Sequence, residues 1–168
     1  MSDARIELEL KIKSEYLGDV WQNFCQLHSL LYELTCDEYV HLLSSDLDKL
    51  DDTLNNKQEV IAEINQLEEQ RAQTIHEINQ LLGTDVQKIS AFTDLLREHN
   101  LTNVSTRIDK LNLILLDVIE KLQDQNKKNQ IYLNKALISL QELKDSFGGG
   151  KKYKTYGANG TTSYNSTR

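Results

Sequence analysis

Residues 46–82 read DLDKLDDTLNNKQEVIAEINQLEEQRAQTIHEINQLL, and this stretch decides the class of fold. Its apolar side chains recur at spacings of three and four residues, which is the pattern that lines one face of an α-helix. A helix of this length extends roughly 55 Å and needs neighbours along its length, so we predict a bundle of long antiparallel helices. Only Lys57, Glu68 and Arg71 interrupt the register, and its apolar members are Leu47, Leu50, Leu54, Ile61, Ile64, Ile75, Ile78 and Leu82.

A second long helix is predicted before this stretch, from about residue 15 to residue 44. Residues 6–12, IELELKI, alternate apolar and charged positions as a strand does. Because no second strand-like segment is available to pair with them, we expect a frayed or helical lead-in. The apolar face of the helix itself consists of Leu17, Val20, Phe24, Leu27, Leu31 and Leu34.

Turn signals lie on both sides of residues 46–82. Ser44–Asp46 can cap a new helix, and the pattern leaves open whether the chain bends or fully reverses there. Gly83 is placed to end the long helix in a left-handed conformation. Thr84 and Gln87 have the spacing of a capping box for a short helix at about 86–98.

A loop from His99 to Thr106 is predicted to precede the last helix, at 104–147. The first half of that helix has one apolar face, and a polar segment, DQNKKNQ at 124–130, follows. In the second half, apolar residues spread over most of the helix circumference. Such a wide apolar surface is either buried against two neighbours or open for an amphipathic segment of another protein.

Composition supports an all-α fold, an elongated antiparallel bundle of long coiled-coil-like helices with a disordered C-terminal tail. The 168 residues include no proline, three Phe and one Trp, so the core must be mainly aliphatic. The net charge is -7, but residues 148–168 contain four cations and no acid, which leaves -11 on residues 1–147. A helical domain with this much negative charge is not expected to bind nucleic acid. Residues 148–168 are predicted to be a flexible basic tail.

Neither a secretion signal nor a membrane span is expected, because the N-terminus is charged throughout and the longest apolar runs are short. We therefore expect a soluble, cytoplasmic protein. Cys25 and Cys36 lie eleven residues apart on one predicted helix, roughly 16 Å, which is too far for a disulfide.

The sequence contains no convincing catalytic, metal or cofactor motif. Glu38 and His41 have the Glu-x-x-His spacing of di-iron bundles, but no second copy accompanies them. Cys25 and His28 supply only two potential zinc ligands, and the glycines match no phosphate-binding loop. We therefore expect a protein that is not an enzyme and holds no cofactor.

Three segments together resemble the FlgN-type flagellar export chaperones. They are SDLDKLDDTLNNKQEVIAEINQLEEQR at 45–71, QNKKNQIYLNKALISLQEL at 125–143 and TYGANG at 155–160. The family has long antiparallel helices, a late Asn-x-x-Asn helix and a mobile tail with Tyr-Gly-x-x-Gly. The extra GGGKKYK segment and the additional tyrosines, Tyr153 and Tyr164, depart from its shorter members.

The resemblance implies a cytoplasmic chaperone without ATPase activity that binds the hook-filament junction proteins FlgK and FlgL before their export. In that family the late helix holds the C-terminal helical segment of the substrate, and a tail tyrosine contacts the export gate component FlhA. The matching export-gate residues here are Tyr156 and Gly157, and the sequence leaves open whether Tyr153 or Tyr164 shares the role of Tyr156. The matching substrate-binding residues are Asn126, Asn129, Ile131, Leu133, Leu137 and Leu140.

A structural coiled-coil protein that homo-oligomerises or tethers a complex is the alternative function. Such a rod predicts strict heptads in every helix, and the interruptions at Lys57, Glu68, Arg71 and near Asn126 favour the chaperone. The sequence leaves open whether the free protein is a monomer or a homodimer. It also leaves open whether FlgK, FlgL or both are bound.

Overall fold

The computed structural model describes residues 2–147, 153–156 and 162–165. It contains four helices, α1 (Asp3–Ser44), α2 (Leu47–Leu82), α3 (Ile89–Glu98) and α4 (Thr102–Ser146), then two strands, β1 (Tyr153–Tyr156) and β2 (Thr162–Asn165). The chain divides into two compact units, Met1–Asn126 and Lys127–Arg168, so α4 contributes to both. The prediction of an all-α fold made of long helices is confirmed for residues 3–146.

Helix α1 begins at Asp3, well before the predicted residue 15. The IELELKI segment is therefore helical, which is one of the two outcomes expected from the sequence. Within it Leu10 is buried while Leu8 and Ile12 are exposed. Leu10 lies on the same helical face as Leu17. Burial of this face stabilises the helix in the segment before residue 15 as well.

The chain fully reverses between α1 and α2. Ser45 adopts a left-handed conformation with φ 55°, and the Asp46 amide donates to the His41 carbonyl at 3.1 Å. The Asp46 carboxylate then accepts a hydrogen bond from the Lys49 amide, which caps α2. These local bonds satisfy the ends of both helices, so neither glycine nor proline is needed for the reversal.

Helices α1 and α2 pack antiparallel along their lengths. Lys13 near the start of α1 pairs with Glu77 near the end of α2, at 2.6 Å. Glu38 near the end of α1 pairs with Lys57 in the first half of α2, at 2.5 Å. Lys57 was predicted to interrupt the apolar register, and its half-buried position is explained by this ion pair.

Only part of the predicted apolar face of α2 is buried. The positions in or against the core are Ile64, Ile75, Ile78 and Leu82, and Leu50 is half-buried. The prediction is wrong for Leu47, Leu54 and Ile61, which are exposed. Thr53, one residue before Leu54, and Val60, one residue before Ile61, are buried instead.

The change of register follows from which neighbours α2 has. Val60 packs with Leu31 of α1, so the side of α2 that faces α1 is buried in its first half. Further along, Ile75 and Ile78 join a cluster with Phe92 of α3, so a second side is buried there. The apolar periodicity of α2 serves both neighbours, and the sequence does not show where the second one stops.

The connection from α2 to α3 differs from the predicted capping box. Gly83 ends α2 with φ 65°, as predicted. Thr84 does not cap a helix, because its hydroxyl donates to the Asn79 side chain at 2.8 Å. That Asn79 amide also bonds both the N–H and the carbonyl of Val86, at 3.0 Å each. Helix α3 begins only at Ile89.

The loop between α3 and α4 is shorter than predicted, because α4 already begins at Thr102. Asn100 makes the turn with φ 61°, a conformation that asparagine tolerates. Ser105, where the predicted loop and the predicted start of the helix overlap, is in the first turns of α4 and donates from its hydroxyl to the Thr93 carbonyl at 2.8 Å. This bond and an Arg97–Asp109 ion pair join α3 to α4.

Helix α4 runs parallel to α1 within the first unit. The Trp21 indole donates to the Asn112 side chain at 3.3 Å, and the Cys25 thiol donates to the Leu111 carbonyl at 3.2 Å. The buried core between the helices consists of Leu10, Leu17, Val20, Trp21, Phe24, Cys25, Ile75, Ile78, Phe92, Leu96, Ile108 and Leu115.

The second unit contains the later part of α4 and the strands β1 and β2. The strands pair antiparallel, with Tyr153 opposite Asn165 and Tyr156 opposite Thr162. The predicted tail had no secondary structure, so this pair is an addition to it. The rest of the predicted tail, 148–152, 157–161 and 166–168, lies outside the described residues.

Two buried serines test how much hydrogen bonding contributes to this core. Ser14 and Ser105 are both fully buried, but the Ser14 hydroxyl has no partner within the described part of the chain. We expect Ser14→Ala to raise the free energy of unfolding by about 1 kcal/mol and Ser105→Ala to lower it by about 1 kcal/mol. Urea unfolding followed by circular dichroism measures both, and equal losses in the two variants would contradict this assignment.

Candidate protein-binding face of the last helix

An exposed row of leucines lies on the later part of α4. Leu133, Leu137 and Leu140 are 43%, 55% and 62% exposed, respectively. Their spacings of four and three residues place them on one side of the helix. We call these three residues the leucine face. Large apolar side chains exposed in a row mark a surface suited to another apolar partner.

The two predicted asparagines lie on the same line of the helix, but they are less accessible. Asn126 and Asn129 precede Leu133 by seven and four residues, so the helical pitch places them on its side. Asn126 is half-buried, and Asn129 is only 3% exposed. A partner seated on the leucine face would therefore not reach the Asn129 side chain in this conformation.

Ile131 does not belong to the leucine face. It precedes Leu133 by two residues, which turns it about 200° around the helix axis. It is exposed, and Ile138, seven residues later, is exposed on the same side. The structure thus places five of the six predicted substrate-binding residues on one side of α4 and the sixth, Ile131, on the other.

The wide apolar circumference of this helix is open rather than covered on all sides. Leu143 and Phe147 are exposed beyond the leucine face. A shallow groove of about 410 Å³ adjoins that face, and its lining residues are Tyr132, Lys135, Ala136, Ser139, Leu140 and Leu143. Of the two sequence-based interpretations, burial against two neighbours and an open dock, the exposure supports the second.

A separate crevice of about 360 Å³ lies in the first unit, and sequence reasoning missed it. Trp21, Phe24 and Ile64 supply much of its apolar lining. At its edge Arg71 donates to Glu68 through two nitrogens, and these bonds hold the pKa of the Glu68 carboxyl below its ordinary value. No sequence signal could have located this crevice, because its lining comes from all four helices.

The polar pairs considered for catalysis or metal binding have other partners. His28 bonds through Nδ1 to the Phe24 carbonyl at 2.7 Å, and Glu38 is engaged by Lys57. Burial raises the pKa of the Cys25 thiol, which disfavours the reactive thiolate. Within the described residues, no group of three His, Cys, Asp or Glu side chains could hold a metal ion.

The predicted export-gate residues fall at the end of β1. Tyr156 is the last residue of that strand, and Gly157 lies outside the described residues. As for a membrane span, the described helices include none with the length and apolar character to cross a bilayer.

Comparison with known proteins gives one match. The family model described as FlgN protein matches residues 13–164, which include both the leucine face and Tyr156. No curated protein and no solved structure matches the chain significantly.

The exposure of the leucine face predicts a small effect on stability. We expect Leu137→Ala to change the free energy of unfolding by about 0.5 kcal/mol or less. Leu122→Ala, a matched control in the same helix, removes a buried side chain and should lower it by about 2–4 kcal/mol. Urea unfolding compares the two variants. A loss for Leu137→Ala as large as that for Leu122→Ala would show that the leucine face is core.

Proposed function

The chain belongs to the FlgN family of flagellar export chaperones, and on this premise we propose that it binds the hook-filament junction proteins FlgK and FlgL in the cytoplasm. In this proposal it prevents their premature assembly and delivers them to FlhA at the export gate of the flagellar type III secretion system. The exposed leucine face is the observation that supports substrate binding most directly.

An apolar helix face suits a substrate that assembles through amphipathic helices. Such a helix hides its own apolar side when it lies along Leu133, Leu137 and Leu140, so it is not available for assembly. Each of these leucines is about half exposed, so a partner gains about half of the 1.5–3 kcal/mol that full burial of a leucine contributes.

Release at the gate requires that this contact be reversible. A substrate helix that becomes ordered only on binding offsets part of the binding free energy. Leu133, Leu137 and Leu140 are uncharged, so separation leaves no charge of this face unpaired. These features favour transfer of the substrate over a permanent complex.

The tail is proposed to make the second contact. Tyr156 and Gly157 match the family's Tyr-Gly-x-x-Gly motif, and they are separate in sequence from the leucine face. A contact tethered to a bound substrate acts at a high effective concentration. One chain can therefore hold its substrate and address the gate at once.

Substrate binding is tested by two neighbouring substitutions. We expect Leu137→Asp to raise the Kd for purified FlgK or FlgL at least about tenfold, which corresponds to roughly 1.4 kcal/mol. Ile138→Asp is the matched control, because it adds the same charge to an equally exposed residue on the other side of α4. Isothermal titration calorimetry measures both. Equal weakening in the two variants, or none in Leu137→Asp, would contradict the assignment of the leucine face.

The gate contact is tested by removing residues 148–168. We expect the truncated protein to keep its helicity, its melting temperature and its affinity for FlgK or FlgL, and to lose binding to FlhA. Tyr156→Ala in the full chain should reproduce the loss, whereas Tyr153→Ala, outside the motif, should not. A truncated protein that loses affinity for FlgK or FlgL would show that the tail takes part in substrate binding.

A further inference from the structure

A row of exposed apolar residues on α2 has no covering element among the described residues. Leu47, Leu54 and Ile61 are all exposed and follow one another at intervals of seven residues. Seven residues are close to two turns, so the three lie in a nearly straight line along the helix. We call them the α2 stripe. It is the part of the predicted α2 face that neither α1 nor α3 buries.

Acidic residues follow one flank of the α2 stripe. Asp51 lies four residues after Leu47 and three before Leu54, which places it directly beside the stripe. Asp48, Asp52 and Glu59 lie further around the same side, and all four carboxylates are exposed. None of them is in an ion pair within the described part of the chain. The surface is thus apolar with an acidic edge.

A second stripe with the opposite charge lies on α4. Ile131 and Ile138 are exposed and also seven residues apart, on the side away from the leucine face. Lys135 lies four residues after Ile131 and three before Ile138, the same position that Asp51 has in the α2 stripe. Lys127 and Lys128, one turn before Ile131, are exposed as well, and Glu142, four residues after Ile138, is an acid on this side, but lysines predominate beside the stripe. We call Ile131 and Ile138 the isoleucine stripe.

The charge of each stripe agrees with the charge of the unit that carries it. Residues 1–126 contain 11 cations and 24 acids, so their net charge is -13. Residues 127–168 contain 8 cations and 2 acids, which gives +6. Each whole chain carries -7, so two copies repel at long range, but the oppositely charged units attract each other once they come close.

We propose that the chain self-associates by packing the isoleucine stripe of one copy against the α2 stripe of a second copy. Both stripes repeat every seven residues, so their apolar side chains can interdigitate over successive turns, as in a coiled coil. With the two helices antiparallel, Lys135 beside one stripe faces Asp51 beside the other. The seam is short, so the association is weak and becomes weaker at high salt.

This contact leaves the leucine face free, because the isoleucine stripe lies on the other side of α4. Self-association is therefore compatible with substrate binding and does not depend on the proposed function. The proposal also assigns a role to Ile131, which the structure separates from the other predicted substrate-binding residues.

The experiment is sedimentation equilibrium of the full chain up to about 1 mM at low salt. We expect the mass to exceed that of the monomer and to fall with added salt. The double variants Leu54→Ser with Ile61→Ser and Ile131→Ser with Ile138→Ser should each be monomeric while circular dichroism shows unchanged helicity. Leu137→Asp, on the leucine face, should associate as the unmodified chain does.

Mixing the two double variants identifies the pairing. The first retains an intact isoleucine stripe and the second an intact α2 stripe, so the mixture should regain one contact and form a heterodimer. A strictly monomeric unmodified chain would overturn the proposal. A mixture of the two double variants that stays monomeric would also overturn it. The same holds if Leu137→Asp abolishes association while the Ile131→Ser, Ile138→Ser variant still associates, because the contact would then be between leucine faces.

Discussion

The burial of α1 between α2 and α4 is the constraint on which the rest of the first unit depends. With three Phe and one Trp in the chain, the core is made mainly of aliphatic side chains on helix faces. The Arg107 guanidinium of α4 lies over α1 and donates to Asp19 and Gln22. A Cβ atom at Gly18 would lie 2.8 Å from Arg107 Nη1, so a larger residue there would displace the flexible end of the arginine side chain.

Helix α1 covers only one side of α2 and one side of α4, so both of these helices retain exposed apolar surface. On α2 this surface is the stripe of Leu47, Leu54 and Ile61, in the half of the helix that α3 does not reach. On α4 it includes the leucine face and the isoleucine stripe. A protein with so much exposed apolar surface on stable helices is suited to binding other helices.

These exposed surfaces give the FlgN family assignment a physical interpretation. In the proposed function, Leu133, Leu137 and Leu140 form the exposed apolar helix face that an export substrate covers. The polar groups considered for chemistry are instead engaged in structure, as Glu38 is with Lys57. In the proposed self-association, the opposite charges of the two units guide the contact while the apolar stripes provide most of the affinity.

The sequence by itself determined the helices, the left-handed end of α2 at Gly83 and the apolar face of α1, because these depend on local backbone preference and periodicity. The resemblance in its motifs also identified the family and the region of α4 that carries the leucine face. Only the tertiary structure decided that Val60 is buried and Ile61 exposed, that the chain reverses at Ser45, and that Asn129 is buried while Leu133 is exposed. A helical pattern shows which residues can share a face, whereas burial depends on how many neighbours that face meets and where each neighbour ends.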